Sequence, residues 1–164
     1  MTNEHESRPT CGRITALRFQ KQRRDWTNLY LDEQFALALP ALEAARLKIG
    51  QILTEDDVAA LRRAGELQAL YDKAVAFLAY RPRSISEMRG FLRKKKADER
   101  LSAAIIEKLQ VAGYVDDRAF ARWWVENRRQ FNPRGVYALR QELRLKGIAP
   151  AVIEEVLALS LIHI

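Results

Sequence analysis

One stretch of this sequence is written twice. Pro82-Arg83 recurs as Pro133-Arg134, Met88-Arg89 as Leu139-Arg140, Leu92-Arg93-Lys94-Lys95 as Leu143-Arg144-Leu145-Lys146, and Ile105-Ile106 as Val156-Leu157, always 51 positions on and without a gap. A segment that repeats in one register is a supersecondary unit that buries its apolar face against its neighbour, so the repeat predicts tandem stacking. The shared residues are of two kinds. Pro and Leu shape and bury helices, whereas Arg and Lys carry charge, so a surface is duplicated along with a scaffold.

Local signals predict three helices per unit. A helix over 66 to 80 carries Leu67, Leu70, Tyr71, Ala74 and Leu78 on one stripe, and Pro82 stops it. Ser84 with Glu87 three residues later is a capping-box pattern, opening a helix whose Ile85, Met88 and Leu92 face inward. Asp98 caps the next helix, with Leu101, Ile105 and Leu109 at intervals of four and Gly113 suited to a left-handed end. In the second unit Asp116 is the N-cap of a helix through Phe120, Trp124 and Val125, broken by Asn132-Pro133. Val136, Leu139 and Leu143 stripe the middle helix up to Gly147, and Pro150 opens the last one, with Val152, Ile153, Val156 and Leu157.

The residues before the repeats read differently. Residues 1 to 12 are polar and expected to be a disordered tail. Apolar and β-forming residues at 14 to 19, 26 to 31 and 35 to 39, separated by charged joins at 21 to 25 and 32 to 34, predict a small antiparallel meander. Such a sheet needs a helix on it, and 40 to 49, with Leu42, Ala45 and Ile49 on one face, is the candidate. Thr54 and Asp57 start a short helix, with Val58 and Leu61 on its apolar side, up to Gly65. The fold class is therefore mainly α: tandem three-helix repeats with a small N-terminal antiparallel β subdomain. The expected divisions are a tail (1–12), a β-rich subdomain with one helix (13–53), a short helix plus the first repeat (54–112), the second repeat (113–160) and an atypical tail (161–164).

Charge narrows the partner. The net charge is +7, but residues 81 to 146 hold 17 Lys/Arg against 8 Asp/Glu, and the rest of the chain 11 against 13. A basic segment inside a slightly acidic chain points to a polyanion, nucleic acid before membrane, because no stretch has a long amphipathic apolar face. Arg89, Arg93 and Lys96 fall at i, i+4 and i+7, beside Lys95 and close to Arg81 and Arg83. Arg140, Arg144, Lys146 and Arg134 repeat the arrangement. If about five of these cations met phosphates, the log–log salt slope of binding would be about −3.5 to −4.5. The competing reading is a solvated face whose long stems cover apolar surface. Arg122, Arg128 and Arg129 flank Trp123-Trp124. Trp124 shares a face with Phe120 and is expected in the core, which leaves Trp123 as the candidate base-stacking ring and Arg128 as a candidate contact.

Catalysis has little to work with. The histidines, His5 and His163, lie in terminal segments, Cys11 is the single cysteine, and no G-x-x-x-x-G-K loop occurs. The pair Asp116-Asp117 is explained by capping and the helix dipole. No enzyme, cofactor or metal is expected. One cysteine excludes an intrachain disulfide and fits a reducing cytoplasm, and neither an export signal nor a bilayer-spanning run is present.

Several words of the sequence, in order, resemble the RecX regulatory proteins. They are Ile14-Thr15-Ala16-Leu17, Arg81-Pro82-Arg83-Ser84, Gly113-Tyr114-Val115-Asp116-Asp117 followed by Phe120-Ala121, Pro133-Arg134-Gly135, and Leu143-Arg144-Leu145-Lys146-Gly147-Ile148, within about residues 13 to 158. The resemblance implies tandem three-helix units, no enzymatic activity, and lodging in the groove of the RecA–DNA filament, where strand exchange and co-protease function are restrained. The expected partner is then the RecA nucleoprotein filament, with single- or double-stranded DNA as a possible direct one, bound by a monomer. A stand-alone nucleic-acid-binding protein and a module for some other acidic protein are the competing classes. Two departures stand out. Lys95-Lys96-Ala97 lacks the glycine that often follows the first unit's middle helix in the family. The chain also stops after Ser160-Leu161-Ile162-His163-Ile164, where a third unit is common, and so reads as truncated.

Overall fold

The computed structural model describes residues 7 to 162. Expectations for residues 1 to 6 and for His163 and Ile164 lie outside the described residues. The chain divides between Ala69 and Leu70 into two compact units.

In the first unit β1 (Gly12–Phe19), β2 (Trp26–Leu31), β3 (Gln34–Pro40) and β4 (Ile52–Leu53) form an antiparallel sheet in the order β3-β2-β1-β4. The three expected strands are present. The turn joining β2 to β3 places both Asp32 and Glu33 at positive φ, the mirror-image geometry that matches the twist of a hairpin. The Asp32 carboxylate then turns back and accepts the Arg13 N–H at 3.2 Å. Gly12, at φ +142°, makes room for it, because a Cβ there would meet the Asp32 side chain. An extra residue in β1 at Thr15, between Ile14 and Ala16, and one in β3 at Ala36, opposite Leu29/Tyr30, bend those strands. The core gathers Ile14, Leu29, Leu31, Leu37, Leu39, Leu53 and Val58.

Two local expectations fail in this unit. The helix after β3 is only α1 (Ala41–Ala44), and its packing residue is Ala44. Leu42 and Ile49 are 84% and 70% exposed, so their spacing marks no buried face, and the chain instead returns to the sheet as β4, pairing Gly12 with Leu53. Gly65 does not end a helix either. Thr54 and Asp57 exchange hydrogen bonds of 3.2 and 2.9 Å as expected, but the helix they open, α2 (Glu55–Leu78), runs straight through. Glycine serves packing here: a Cβ at 65 would stand 3.0 Å from the Ala38 carbonyl oxygen.

In the second unit the C-terminal turns of α2 are followed by α3 (Ile85–Lys94) and α4 (Glu99–Val111), then by α5 (Asp117–Phe131), α6 (Val136–Leu145) and α7 (Pro150–Ile162). The caps are those the sequence predicts. Ser84 and Glu87 form a complete capping box, and Asp98 and Asp116 each accept backbone N–H bonds from the first turn of their helices. Met88, Leu92, Ile105 and Leu109 are buried in the first repeat. Phe120, Val125, Leu139, Leu143, Ile153, Val156 and Leu157 are buried in the second, whereas Val136 is exposed.

Both middle helices close with the same paired bonds: Lys96 N–H to Arg93 O (3.0 Å) with Ala97 N–H to Leu92 O (3.1 Å), and Gly147 N–H to Arg144 O (2.9 Å) with Ile148 N–H to Leu143 O (3.1 Å). The second uses glycine at φ +76°; the first puts Lys96 at φ +61°. The missing glycine therefore leaves the helix end unchanged and imposes a left-handed conformation on a lysine.

Candidate functional site

The repeats interlock through their polar ends, which decides where the predicted cations go. The α3 N-terminus has four backbone N–H groups without helical partners. The Ser84 hydroxyl accepts the Glu87 N–H at 3.1 Å and donates to the Lys146 carbonyl at 2.7 Å, tying the end of α6 to the start of α3. Asp117, from the first turn of α5, accepts the Ile85 N–H at 2.8 Å. Asp116 caps its own helix, but Asp117 caps the other repeat's. Burial pushes the Asp117 carboxyl above the ordinary aspartate range, helped by Asp116 and opposed by the Ile85 N–H and Arg89.

Glu87 collects cations from both repeats. Arg81 pairs with its carboxylate, Lys146 lies at 3.7 Å and Arg83 at 3.8 Å. Burial raises the Glu87 pKa, but Arg81, Lys146 and the Ser84 N–H together outweigh it, and the group titrates below the usual glutamate value. The Arg83 guanidinium lies 3.9 Å from the Phe77 ring centroid, and Phe77 stacks on Phe91 at 4.3 Å. Burial and the Arg81 charge lower the Arg83 pKa, and Glu87 opposes them.

A second carboxylate, Glu142 in the last turn of α6, organises the contact of that helix with α5. It accepts the Trp124 Nε1–H at 2.8 Å and the Arg128 Nε–H at 3.1 Å, with Arg134 at 3.9 Å. Arg128 and Lys146 lie over the Trp124 ring at 4.7 and 5.1 Å. Trp124 is therefore half-buried at the head of a polar network, not sealed in the core as its spacing from Phe120 suggests, and Trp123 is half-buried beside it. Arg140 makes two hydrogen bonds to Glu154, at 2.7 and 3.2 Å.

Of the predicted contact residues, Arg81, Arg83, Lys146, Arg128, Arg134 and Arg140 are thus engaged with internal carboxylates. Arg89, Arg93, Lys95, Lys96 and Arg144 are exposed and form no ion pair among the described residues. Lys96 lies past the end of α3, so its spacing from Arg89 and Arg93 is not that of one helical face. Arg89, Arg93 and Arg100 line an open groove that Glu99 and Glu107 also line, with Ala97 and Ile106. The positions of Arg93 and Arg144 are equivalent in the repeat, so each middle helix presents an exposed guanidinium there that forms no ion pair among the described residues, although Arg144 helps Arg140 hold the Glu154 carboxyl below the usual glutamate value. Fork-shaped guanidinium donors suit carboxylate or phosphate oxygens.

Arg100 was not a sequence candidate, and neither were the carboxylates of Glu142 and Glu154. Nothing local marks the two carboxylates, since each acts on residues distant in the chain, and Arg100 joins Arg89 and Arg93 only through the folded groove. Glu87 is legible as a capping box, but not as the ligand of Lys146. Among the described residues no group of His, Cys, Asp and Glu side chains is placed to hold a metal ion, and no helix is long and apolar enough to cross a membrane.

Comparison with known proteins agrees with this geometry. The family model for the first three-helix domain of RecX matches residues 71–109, and that for the second matches residues 116–157. The regulatory protein RecX of Bacillus pumilus (strain SAFR-032) is 35% identical over 147 residues, and that of Bacillus subtilis (strain 168) 32% over 147 residues. Each match covers 88% of this chain and 56% of the relative. The chain thus spans little more than half the length of these relatives. A crystal structure of regulatory protein RecX superposes with a TM-score of 0.80 at 29% identity, covering 89% of this chain and 72% of that one.

Proposed function

The chain belongs to the RecX family of regulatory proteins, and from that premise we propose that it is a non-catalytic regulator that binds RecA recombinase filaments and restrains their recombination and co-protease activity. The observation that carries the surface assignment is the equivalence of Arg93 and Arg144. Both are exposed and form no ion pair among the described residues, and interlocked repeats hold them at a fixed spacing. Arg89, Lys95 and Lys96 extend the first patch. Acidic filament surface or DNA phosphate is the matching chemistry. Of the internally paired cations, Lys146 ties the second repeat to Glu87 of the first, whereas Arg140 ties α6 to α7 within its own repeat.

The test titrates the chain into the single-strand-dependent ATPase of RecA, with fluorescence anisotropy of the same oligonucleotide followed without RecA. Inhibition at concentrations that leave the bare oligonucleotide unbound is expected, and Arg93→Ala with Arg144→Ala should weaken it at unchanged helix content. Salt-sensitive binding to bare DNA with no effect on the ATPase would replace this reading with that of a nucleic-acid-binding protein. Unchanged inhibition by the double variant would sink the proposed faces.

A further inference from the structure

We propose that the solvent face of the N-terminal sheet, with the basic β1–β2 hairpin beside it, binds single-stranded nucleic acid. An antiparallel sheet covered on one side normally turns polar residues to water on the other. Here Tyr30 and Phe35 stand on that side as cross-strand partners, with ring centroids 5.9 Å apart and edge to face. Each ring carries a guanidinium: Arg18 lies 5.2 Å from the Tyr30 centroid and Arg8 5.1 Å from that of Phe35. Both arginines are exposed, so each ring face is reached from solvent by a planar group. A nucleobase is another planar group that stacks on such faces, and arginine can stay as its neighbour or stack on its far side.

The surroundings select the polymer. Residues 13 to 24 hold five Lys/Arg and no Asp/Glu. At the far end of β1, Lys21 and Arg24 line one shallow concavity with Gln20 and with Phe19, whose side chain is 71% exposed. Lys21 and Arg24 form no ion pair among the described residues. Gln20 and Asn28, on the same side as Tyr30, hold their amides together at 2.8 Å and offer further donors and acceptors to base edges. Cations alone would suit any polyanion. Ring faces beside them suit unpaired bases, because a duplex keeps its bases stacked on each other and shows a protein only their edges.

This surface is separate from the helical faces assigned above, and its test contains no RecA, so either assignment can fail alone. The full chain is irradiated with an oligothymidylate of about 15 nucleotides carrying 5-iododeoxyuridine, a length within reach of one small stacking domain, and the cross-linked peptides are identified by mass spectrometry. Cross-links to Tyr30, Phe35 or Phe19 are expected. In parallel, anisotropy with single- and double-stranded oligonucleotides compares wild type with Tyr30→Leu, Phe35→Leu and the exposed charge variant Lys21→Glu with Arg24→Glu. Loss of one stacked base weakens single-strand binding about 5- to 150-fold with little change for duplex. The charge variant, whose two positions are both exposed, weakens it without altering the thermal midpoint. Cross-links confined to residues 81 to 146, equal losses on single strands and duplex for the ring variants, or unchanged affinity in the charge variant would overturn the assignment.

Discussion

Exchanging the residues at one repeat position should move stability in opposite directions. Lys96 and Gly147 occupy the same left-handed turn after equivalent helices, at φ +61° and +76°. An L-residue in that conformation costs about 1–2 kcal/mol, and glycine's extra freedom in the unfolded chain offsets about 0.4–1 kcal/mol of what its use would gain. Lys96→Gly should therefore stabilise the second unit by about 0.5–1 kcal/mol. Gly147→Ala is worse than the mirror image of that change, because its Cβ would overlap the Cβ of Ser86 and stand 2.7 Å from its Oγ. Overpacking adds about 1–3 kcal/mol, for a total loss of about 2–4 kcal/mol. The contact joins the end of α6 to the start of α3, so Ser86→Gly in the Gly147→Ala background should recover the steric part and leave the conformational part. Urea unfolding followed by helical circular dichroism and by tryptophan fluorescence, to which Trp123 and Trp124 of the second unit and Trp26 of the first contribute, measures all four proteins. If Lys96→Gly destabilises, or Ser86→Gly restores nothing, the reasoning from turn geometry and repeat contact is wrong.

Two further outcomes follow from the junction. Glu87 has a folded pKa below the ordinary glutamate value of 4.5, so its stabilisation is complete above the unfolded pKa and is lost as pH falls through the folded one. Glu87→Gln should cost about 1–2 kcal/mol at pH 7 and flatten the acid limb of the stability profile, as measured by urea midpoints against pH. Asp117 is shifted upward, so the folded chain binds its proton more tightly and this group's contribution falls as pH rises from its unfolded pKa, 3.8, through the folded value. Asp117→Asn should remove that opposing slope in the same titration, whereas Asp117→Ala should also lose about 1 kcal/mol at pH 7 with the cap on Ile85.

The local half of this fold is readable because its causes are local. The Ser84–Glu87 box, the Asp98 and Asp116 caps and the left-handed Gly113 and Gly147 each depend on backbone groups within a few residues. The failures share a cause as well. Gly65 looks like a stop until the Ala38 carbonyl is brought beside it, and Leu42 and Ile49 look like a buried face until the chain spends those residues on returning to the sheet. The candidate surface divides in the same way. Sequence spacing groups Arg89 with Arg93 and Arg140 with Arg144, but only folding sets Glu154 against Arg140 and leaves Arg144 without an ion pair among the described residues.

The sequence by itself determined the repeat, its register, most of its caps and the excess of positive charge, since periodicity and capping act over one or two turns of chain. The tertiary structure decided which charges are available. Glu87 and Glu142 reach their cations across 4 to 59 residues of chain, and a side chain is committed only when the folded chain places a carboxylate within about 4 Å of it.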